Sequence, residues 1–397
     1  MNETASSAQP LTIMLIAGEP SGDRLGAQLM AGLKRLAPGR VRVTGVGGAA
    51  MTAEGLRSLF PLDATSVMGL REVVPRIPEI LRRVRIAKDF ALRTRPDLVV
   101  FIDSPDFTHR IARALKRADP KIKTANYAPP QVWASRSYRA RLMARYMDAV
   151  MTLFPFEAKF FASHGIRAYT VGFPVIERAE HVKGGESFRA RRGIAPDDPF
   201  LVVLPGSRAN EIRFILPTFK EAVRILSTRM PRLKCVLPTV SQVVHLVKAA
   251  VTDWPTPLAI IEDEQEKFAA FDAADAALAA SGTVTMELAI AGTPMVVGYR
   301  TGWLSYSLGI HLMRVPYMVL VNLILGREAV PEFLQAKCTP AALVNALVPL
   351  LTKGEARERQ IRDLQEAVGT MQGGGDTPSI RAARAVLELA ETTAPAT

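Results

Sequence analysis

The chain has 397 residues, of which 48% are hydrophobic and 22% charged, a composition typical of a globular protein rather than a disordered one. Its formal net charge of +12 favours an anionic partner, such as nucleic acid, an acidic membrane surface or a phosphorylated substrate. The length fits two domains of ordinary size. Met1–Pro10 lacks a signal-peptide pattern, so we expect no export, and Cys235 and Cys338 lack metal-ligand spacing.

The first half of the sequence alternates strands and helices. Leu11–Ala17 is a continuous apolar run that predicts a buried strand, and Leu25–Leu36 has helical periodicity after a glycine-containing loop. The glycines at 18, 22 and 26 do not match the G-x-G-x-x-G fingerprint, which argues against a dinucleotide site. Further strands are predicted at Val41–Val46, Asp97–Asp103, Ile122–Tyr127 and Ala149–Leu153.

The second half repeats this alternation after a hydrophilic connector that contains Gly184-Gly185 and Pro196–Pro199. Two α/β domains in tandem are therefore predicted, with a cleft onto which the carboxyl ends of both sets of strands open. The chain is predicted to be helical after Thr339, with Pro378–Glu391 as its last helix. The predicted strands of this half are Phe200–Leu204, Leu233–Pro238, Leu258–Ile261, Ala276–Ala280 and Met295–Tyr299.

Two stretches suit a lipid surface. Residues 71–95 carry eight Lys or Arg against three Asp or Glu, interleaved with apolar side chains. This pattern is typical of an interface with anionic lipid and equally of an arginine-rich solvated helix. Trp303–Leu325 is apolar, but Arg314 within it argues against a transmembrane helix and leaves an exposed apolar surface as the prediction. No signature of a nucleic-acid-binding module accompanies these stretches.

A loop in Leu278–Arg300 is suited to a nucleotide. Ser281-Gly282-Thr283 follows a predicted strand and precedes a short predicted helix, whose unpaired backbone N–H groups could bind phosphate. Glu287 lies about one turn inside that helix, where its carboxylate could accept hydrogen bonds from a sugar diol. We therefore predict a nucleotide site here.

Pro205-Gly206-Ser207-Arg208 is a second turn suited to an anion. Ser207 offers a hydroxyl and Arg208 a planar guanidinium that matches phosphate oxygens. An ordinary capped turn with Arg208 paired to Glu211 is an equally good interpretation of these residues alone. If the turn lies beside Ser281–Thr283, the two loops could hold a diphosphate and a ribose together.

Carboxylates follow a strand of the first half. Asp103 and Asp106 flank Ser104-Pro105, and a carboxylate there could act as general base towards an attacking hydroxyl. Glu19 and Asp23, in the first glycine-containing loop, are competing candidates. The five histidines lack metal spacing, so no metal site or cofactor is predicted, and no G-x-S-x-G elbow suggests a serine hydrolase.

Taken together, these motifs closely resemble the lipid-A-disaccharide synthases, the glycosyltransferases of bacterial outer-membrane lipid assembly. The resemblance runs nearly end to end, and its departures are Pro20, Ser135 and Phe173. The matching motifs are Ala17–Asp23, Ile102–Phe107, Leu204–Arg208 with Glu211, Ser281–Thr283 with Glu287, Val315–Tyr317, Asn322–Gly326 and Val330–Gln335.

The resemblance implies a GT-B fold, in which two Rossmann-like domains face a central cleft and the C-terminal helix returns to the first domain. The implied domains are residues 1–180 for the acceptor, 181–370 for the UDP-sugar and 371–397 for the returning helix. The implied reaction joins UDP-2,3-diacylglucosamine to 2,3-diacylglucosamine 1-phosphate (lipid X), with inversion and release of UDP. It forms a β(1→6) disaccharide and needs no metal or other cofactor.

The resemblance also implies roles for individual residues. Asp106 matches the family's proposed base, with Asp103 beside it. The implied nucleotide-binding residues are Ser207, Arg208, Ser281, Gly282, Thr283 and Glu287. The implied acceptor or other active-site positions are Glu19, Ser21, Gly22, Asn322 and Gln335.

The implied location is cytoplasmic, at the anionic leaflet of the inner membrane, without nucleic acid as a partner and with a homodimer left open. Two alternatives compete with this reaction. One is a UDP-N-acetylglucosamine 2-epimerase-like enzyme of the same fold. The other is a basic lipid- or nucleic-acid-binding protein without catalysis.

Overall fold

A computed structural model of the chain describes residues 10–62, 77–135, 137–181, 183–301, 316–372 and 375–392. These residues form two compact units. The first comprises the described residues of Met1–Pro174 and Gly373–Thr397, and the second comprises those of Val175–Gln372. Residues 71–76 and 303–315, parts of the two stretches predicted to suit a lipid surface, lie outside the described residues.

The first unit is built on a parallel six-stranded sheet of order β2-β1-β3-β4-β5-β6. Its central strands are continuous apolar runs because both faces of a parallel sheet are covered by helices. β1 and β3 are almost wholly buried, whereas the edge strand β6 is partly exposed. The strands are β1 Leu11–Ala17, β2 Val41–Val46, β3 Leu98–Ile102, β4 Thr124–Tyr127, β5 Ala149–Thr152 and β6 Arg167–Thr170.

Helices cover both faces of this sheet. They are α1 Pro20–Leu36, α2 Ala49–Ala53, α3 Ile77–Thr94, α4 Pro105–Ala118, α5 Val132–Ser135, α6 Tyr138–Met143, α7 Pro155–Ala162 and, from the end of the chain, α16 Pro378–Glu391. On one face α1 packs against α16, and Gly32 permits the approach because a Cβ there would lie 2.7 Å from the carbonyl oxygen of Ser379. On the other face, α3 and α4 bury Val84, Phe107 and Ile111.

The second unit has its own parallel six-stranded sheet, of order β12-β11-β10-β7-β8-β9. Its largest core side chain on one face is Phe219, which is fully buried, and burial of such a side chain stabilises the fold by roughly 2–3 kcal/mol. The strands are β7 Phe200–Leu204, β8 Lys234–Pro238, β9 Leu258–Ile261, β10 Ala276–Ala279, β11 Met295–Tyr299 and β12 Glu332–Leu334.

The second unit's helices alternate with its strands. They are α8 Gly185–Arg191, α9 Ala209–Arg229, α10 Val244–Ala250, α11 Glu264–Ala273, α12 Val284–Ile290, α13 Leu320–Leu325, α14 Pro340–Leu351 and α15 Glu355–Gln372, with 3-10 helices at Pro174–His181 and Gln335–Lys337. Among the described residues, no helix is long and apolar enough to span a membrane.

Each sheet reverses its strand order at one point, and this point positions the candidate residues. In the first sheet the reversal lies at β1 and β3, which are paired through Ala17 and Ile102. In the second it lies at β7 and β10, which are paired through Leu204 and Ala279. Ligands of doubly wound sheets bind outside the carboxyl ends of strands at such reversals.

The α/β fold of two doubly wound, Rossmann-like domains is confirmed, and most predicted strands agree with the structure to within two residues. The prediction for the first helix was wrong at its start. α1 begins at Pro20 rather than Leu25, because proline suits the first position of a helix, so Ser21 and Gly22 belong to its first turn rather than to a loop. The edge strands β6 and β12 lack an apolar run and were not predicted.

Candidate active site

In the first unit, the turn after β3 has an unusual backbone. Asp103 and Ser104 have φ values of 52° and 43°, in the left-handed region that residues other than glycine seldom adopt. Such conformations persist only where surrounding contacts fix them, and they concentrate at functional sites. Here the Asp103 amide donates to Tyr127 O at 3.1 Å, and the Thr108 hydroxyl donates to Asp103 O at 2.9 Å.

The residues after β1, at the start of α1, support this turn. The Ser21 hydroxyl donates to Asp103 Oδ2 at 2.7 Å, and Asp103 Oδ1 accepts the Ser104 amide at 2.8 Å. Gly18 allows the two loops to meet, since a Cβ there would lie 2.5 Å from Ser104 Cβ. Glu19 is the N-cap residue of α1 and is partly exposed, beside Ser21 and Gly22.

Asp106 lies in the first turn of α4, and its side chain is exposed. A carboxylate in this position is stabilised by the partial positive charge of the helix N-terminus. The Arg110 side chain donates to the backbone carbonyl oxygen of Asp106 at 2.8 Å, so this hydrogen bond does not involve the carboxylate. Asp106 is therefore accessible to a substrate hydroxyl, whereas Asp103 is committed to holding the turn.

Asp23, the other carboxylate considered from the sequence, has a structural role. It is 6% exposed, and its two oxygens accept the amides of Gly48, Ala50 and Met51 at 2.7–3.0 Å. These are N–H groups at the start of α2, so Asp23 caps that helix from a distance in sequence. No contact of this kind is visible in the sequence, because residues 23 and 48 are far apart along the chain.

In the second unit, the turn after β7 is closed by Glu211. Its carboxylate accepts the amides of Ser207 and Arg208 at 2.8 and 3.2 Å, and Arg208 Nη1 lies 3.2 Å from its other oxygen. Gly206 has a φ of 116°, and a Cβ there would collide with Glu211. The Arg208 side chain is 61% exposed, so a surface pairing of this kind is weak and leaves the guanidinium accessible to an anion.

The neighbouring turn, after β10, is open at its centre. Gly282 has no atom within 4 Å of where a Cβ would lie, and Thr283 is exposed. The Ser281 hydroxyl donates to Met318 O at 3.3 Å. Because β7 and β10 are adjacent parallel strands, this turn lies beside Pro205–Arg208 at the same edge of the sheet.

Glu287 has a partner that the sequence analysis missed. Lys267 Nζ lies 2.9 Å from Glu287 Oε2, and both side chains are largely buried, with exposures of 22% and 13%. The ammonium group also lies over the rings of Phe268 and Phe271. No local signal marks Lys267, because the ion pair joins different helices, α11 and α12. The pair fixes the Glu287 carboxylate in the first turn of α12.

Asn322 and Gln335 lie in different environments. Asn322 is fully buried, donates to Val330 O and accepts the amides of Ala329 and Val330, all within 2.9 Å, so its amide is occupied in holding that segment. Gln335, directly after β12, has a φ of 51°. Its Nε2 is buried and, among the described residues, has no hydrogen-bond partner. Such a group is unusual and is consistent with a ligand contact.

Two departures from the family pattern have structural explanations. Pro20 occupies the first position of α1, and Phe173 is buried and stacks on Phe154 with ring centroids 5.8 Å apart. Across the described ranges, no group of three or more His, Cys, Asp or Glu side chains is arranged to hold a metal ion.

The sequence matches a family model described as "Lipid-A-disaccharide synthetase" over residues 13–375. Two relatives carry the name lipid-A-disaccharide synthase. The one from Rhodospirillum centenum is 44% identical over 381 residues, covering 96% of this chain and 95% of the relative. The one from Nitrobacter winogradskyi is 42% identical over 389 residues, covering 98% of each.

Solved structures resemble this chain in fold alone. The S. aureus MnaA–UDP co-structure aligns with a TM-score of 0.65 at 13% identity and covers 96% of both chains. A UDP-GlcNAc 2-epimerase from Neisseria meningitidis bound to UDP-GlcNAc aligns with a TM-score of 0.59 at 12% identity, over 96% of this chain and 99% of that one. These neighbours have the two Rossmann-like domains of the GT-B architecture. With a family model matched over most of its length and relatives above 40% identity, the chain belongs to the lipid-A-disaccharide synthase family.

Proposed function

We propose that this chain transfers a 2,3-diacylglucosaminyl group from UDP to the 6-hydroxyl of 2,3-diacylglucosamine 1-phosphate, giving the β(1→6) disaccharide and UDP. Family membership supports the reaction class. The observation that carries the assignment of sites is the placement of each set of candidate residues at the strand-order reversal of its own sheet. In this proposal the first unit activates the acceptor and the second unit binds the UDP-sugar.

The donor site of the proposal uses the paired turns after β7 and β10. Arg208 and the backbone N–H groups at the start of α9 bind the diphosphate, which a helix N-terminus and a guanidinium both favour. Glu287 accepts hydrogen bonds from the ribose diol, and Lys267 holds its carboxylate in place. As the bond to the anomeric carbon breaks, these positive groups stabilise the developing charge on UDP.

The acceptor site of the proposal lies at the turn after β3. Asp106 accepts the proton of the 6-hydroxyl while that oxygen attacks the anomeric carbon in line, which inverts its configuration. Its exposure and its position in the first turn of α4 support this role. Asp103 and Ser21 hold the turn. Nε2 of Gln335, which has no hydrogen-bond partner in the described part of the chain, supports a polar contact with a sugar in the second unit.

The proposal also includes contact with the anionic cytoplasmic leaflet of the inner membrane, through the first unit. The described part of the basic stretch forms α3, where Ile77 and Leu81 are 43% and 52% exposed beside the exposed Arg82 and Arg85. Exposed apolar side chains flanked by arginines gain both burial and charge attraction at such a surface.

The direct test is an assay of purified protein with both lipid precursors. We expect a disaccharide and one UDP for each disaccharide formed, and no change in the donor when lipid X is omitted. Conversion of the donor sugar without acceptor would instead support an epimerase. A second comparison uses Glu287→Gln. A loss of turnover is expected, whereas lipid binding as the sole activity, unaffected by this change, would support a non-catalytic binding protein.

A further inference from the structure

A buried chain of hydrogen bonds runs behind the turn that carries Asp103 and Asp106. At its centre is His109, on the second turn of α4 and 5% exposed. Nε2 of His109 lies 3.1 Å from Asn126 Oδ1, and Nδ1 lies 3.2 Å from the Tyr146 hydroxyl. The Tyr146 hydroxyl in turn accepts Arg113 Nη2 at 3.1 Å. Every member of the chain therefore has a partner on each side.

The donor and acceptor of each hydrogen bond follow from Asn126, at one end of this hydrogen-bond chain. Asn126 Nδ2 donates to Phe101 O at 2.8 Å and to Tyr127 O at 3.3 Å, which uses both of its protons and directs Oδ1 towards the imidazole. An amide oxygen only accepts, so His109 carries its proton on Nε2. Nδ1 is then an acceptor, and the Tyr146 hydroxyl donates to it.

The imidazole is neutral in this arrangement. Burial is the largest cause that lowers the pKa of His109, to about 4, and the nearby Arg113 and Arg139 guanidinium groups lower it further. The hydrogen bond with Asn126 and the charge of Asp106 act in the opposite direction and do not outweigh them. A protonated ring would also place a second donor against the Tyr146 hydroxyl, reversing the last bond of the chain.

The hydrogen-bond chain ends at the strained turn that contains Asp103 and Ser104. Tyr127 O, the last acceptor, also receives the amide of Asp103, the first of the two positive-φ residues in this turn. We propose that His109 is a positioning residue, which, as the neutral Nε2–H tautomer, holds α4 against β4 and keeps the Asp103–Asp106 turn in its reactive geometry. The inference rests on the proposed function only in assigning the chemistry of that turn to Asp106.

The tautomer is measured without reference to activity. Protein labelled with 15N-histidine gives long-range 1H–15N correlation spectra in which the five imidazoles are distinguished, and His109→Gln assigns the signal of interest. We expect His109 to remain neutral, with the proton on Nε2, from about pH 5.5 to 8. Titration of His109 within this range, or a proton on Nδ1, would overturn the proposal.

Kinetics then test the positioning role. His109→Phe keeps a ring but removes both hydrogen bonds, and we expect kcat to fall at least about tenfold while the Kd for UDP, bound by the second unit, is unchanged. His109→Gln retains an amide that can donate to Asn126, and we expect it to restore most of the lost kcat. His245→Gln, at an exposed histidine of the second unit, is the matched control and should behave as wild type.

Two outcomes separate this inference from the proposed function. If folded His109→Phe turns over as fast as wild type while Asp106→Asn is inactive, the positioning role fails alone. If Asp106→Asn is active, the assignment of Asp106 as the base fails. The tautomer measurement still tests whether the hydrogen bonds of His109 are arranged as proposed. Should His109→Phe not fold, Tyr146→Phe removes only the hydroxyl that donates to Nδ1 and leaves the hydrogen bond between Nε2 and Asn126. We expect the proton to stay on Nε2 in that variant while kcat falls, and an unchanged kcat would count against the proposal.

Discussion

The Ser21 hydroxyl donates a hydrogen bond to Asp103 Oδ2 at 2.7 Å and so joins the carboxyl ends of β1 and β3. The two residues are far apart in the sequence, but they meet because the first sheet reverses its strand order between these strands. This bond holds a turn whose backbone is strained at Asp103 and Ser104. The strain is offset locally by contacts that the fold supplies.

Ser21→Ala removes that bond and leaves the Asp103 carboxylate with one donor fewer. We expect kcat to fall about tenfold and the free energy of unfolding to drop by about 1.5–3 kcal/mol, the usual contribution of a hydrogen bond to a charged group. Steady-state kinetics and urea unfolding measure the two effects. Ser227→Ala, which removes a local hydrogen bond to Arg224 O at the surface of α9, is the control. Equal kinetic effects of the two changes would show that the turn does not need Ser21.

Glu287→Gln tests the ribose contact. The change removes the charge that Lys267 stabilises and weakens any hydrogen bonds accepted from a diol. We therefore expect the Kd for UDP to rise about tenfold or more, which corresponds to a loss of at least about 1.4 kcal/mol in binding free energy. Isothermal titration with UDP measures the effect. Glu262→Gln, whose carboxylate pairs with Lys248 on an exposed surface, is the control. An unchanged affinity for UDP would remove Glu287 from the nucleotide site.

Asp23→Ala tests the helix cap. Three amides at the start of α2 lose their acceptor, and we expect the free energy of unfolding to fall by roughly 2–3 kcal/mol, since caps and charged hydrogen bonds each contribute about 1 kcal/mol or more. Urea unfolding measures it. Two further variants separate charge from length: Asp23→Asn removes the charge, and Asp23→Glu lengthens the side chain. If Asp23→Asn recovers little of the stability lost in Asp23→Ala, and Asp23→Glu recovers none, charge and length both matter. A loss as small as that of an exposed Asp253→Ala variant would contradict the capping role.

Stability is expected to depend on pH through His109. Its pKa is about 4 when folded, against 6.5 for the free side chain, so between these values the unfolded chain binds more protons. Stability from this group is therefore present above pH 6.5 and is lost as the pH falls through 4, by about 3 kcal/mol in all. Urea unfolding from pH 4 to 7 measures the slope, which His109→Gln should flatten. An unchanged slope would mean that His109 is not held neutral.

Glu157 should act in the opposite sense. Burial raises its pKa from 4.5 to about 6, against the lowering effect of hydrogen bonds from Trp133, Phe154 and Leu153. The folded protein then binds the extra proton, so this contribution is present below pH 4.5 and is lost as the pH rises through 6, by about 2 kcal/mol. Glu157→Gln should therefore steepen the rise of stability between pH 4.5 and 6. A shallower rise would reverse the sign assigned to Glu157.

Most of the fold could be predicted from the sequence because the central strands are apolar runs bounded by glycine and proline. The central strands Leu11–Ala17 and Phe200–Leu204 have the bounds predicted for them, and so does the edge strand Val41–Val46. Strands β6 and β12 could not be predicted in this way, since an edge strand is partly solvated and need not be apolar. The start of α1 could not be predicted because Gly22 usually marks a loop. Here it permits close packing, since a Cβ at this position would lie 3.0 Å from Ile102 O.

The candidate site was predictable only as far as its loops. Residue types and strand ends indicated Asp106, Arg208 and Glu287, because these roles depend on local position at a strand's carboxyl end. The partner Lys267 depends on how separate segments meet in three dimensions, whereas Glu211's contacts with the amides of Ser207 and Arg208 are local to one capped turn. The burial of Asn322 and its pairing with a backbone segment are likewise properties of the fold.

The most direct measurement is disaccharide synthesis by Asp106→Asn beside UDP binding on the same preparation. The asparagine keeps the size of the side chain and cannot accept the proton of the 6-hydroxyl. We expect kcat to fall at least about 10²-fold and the Kd for UDP to stay within about twofold of wild type. Turnover at the wild-type rate in folded protein would contradict the assignment of Asp106 as the general base.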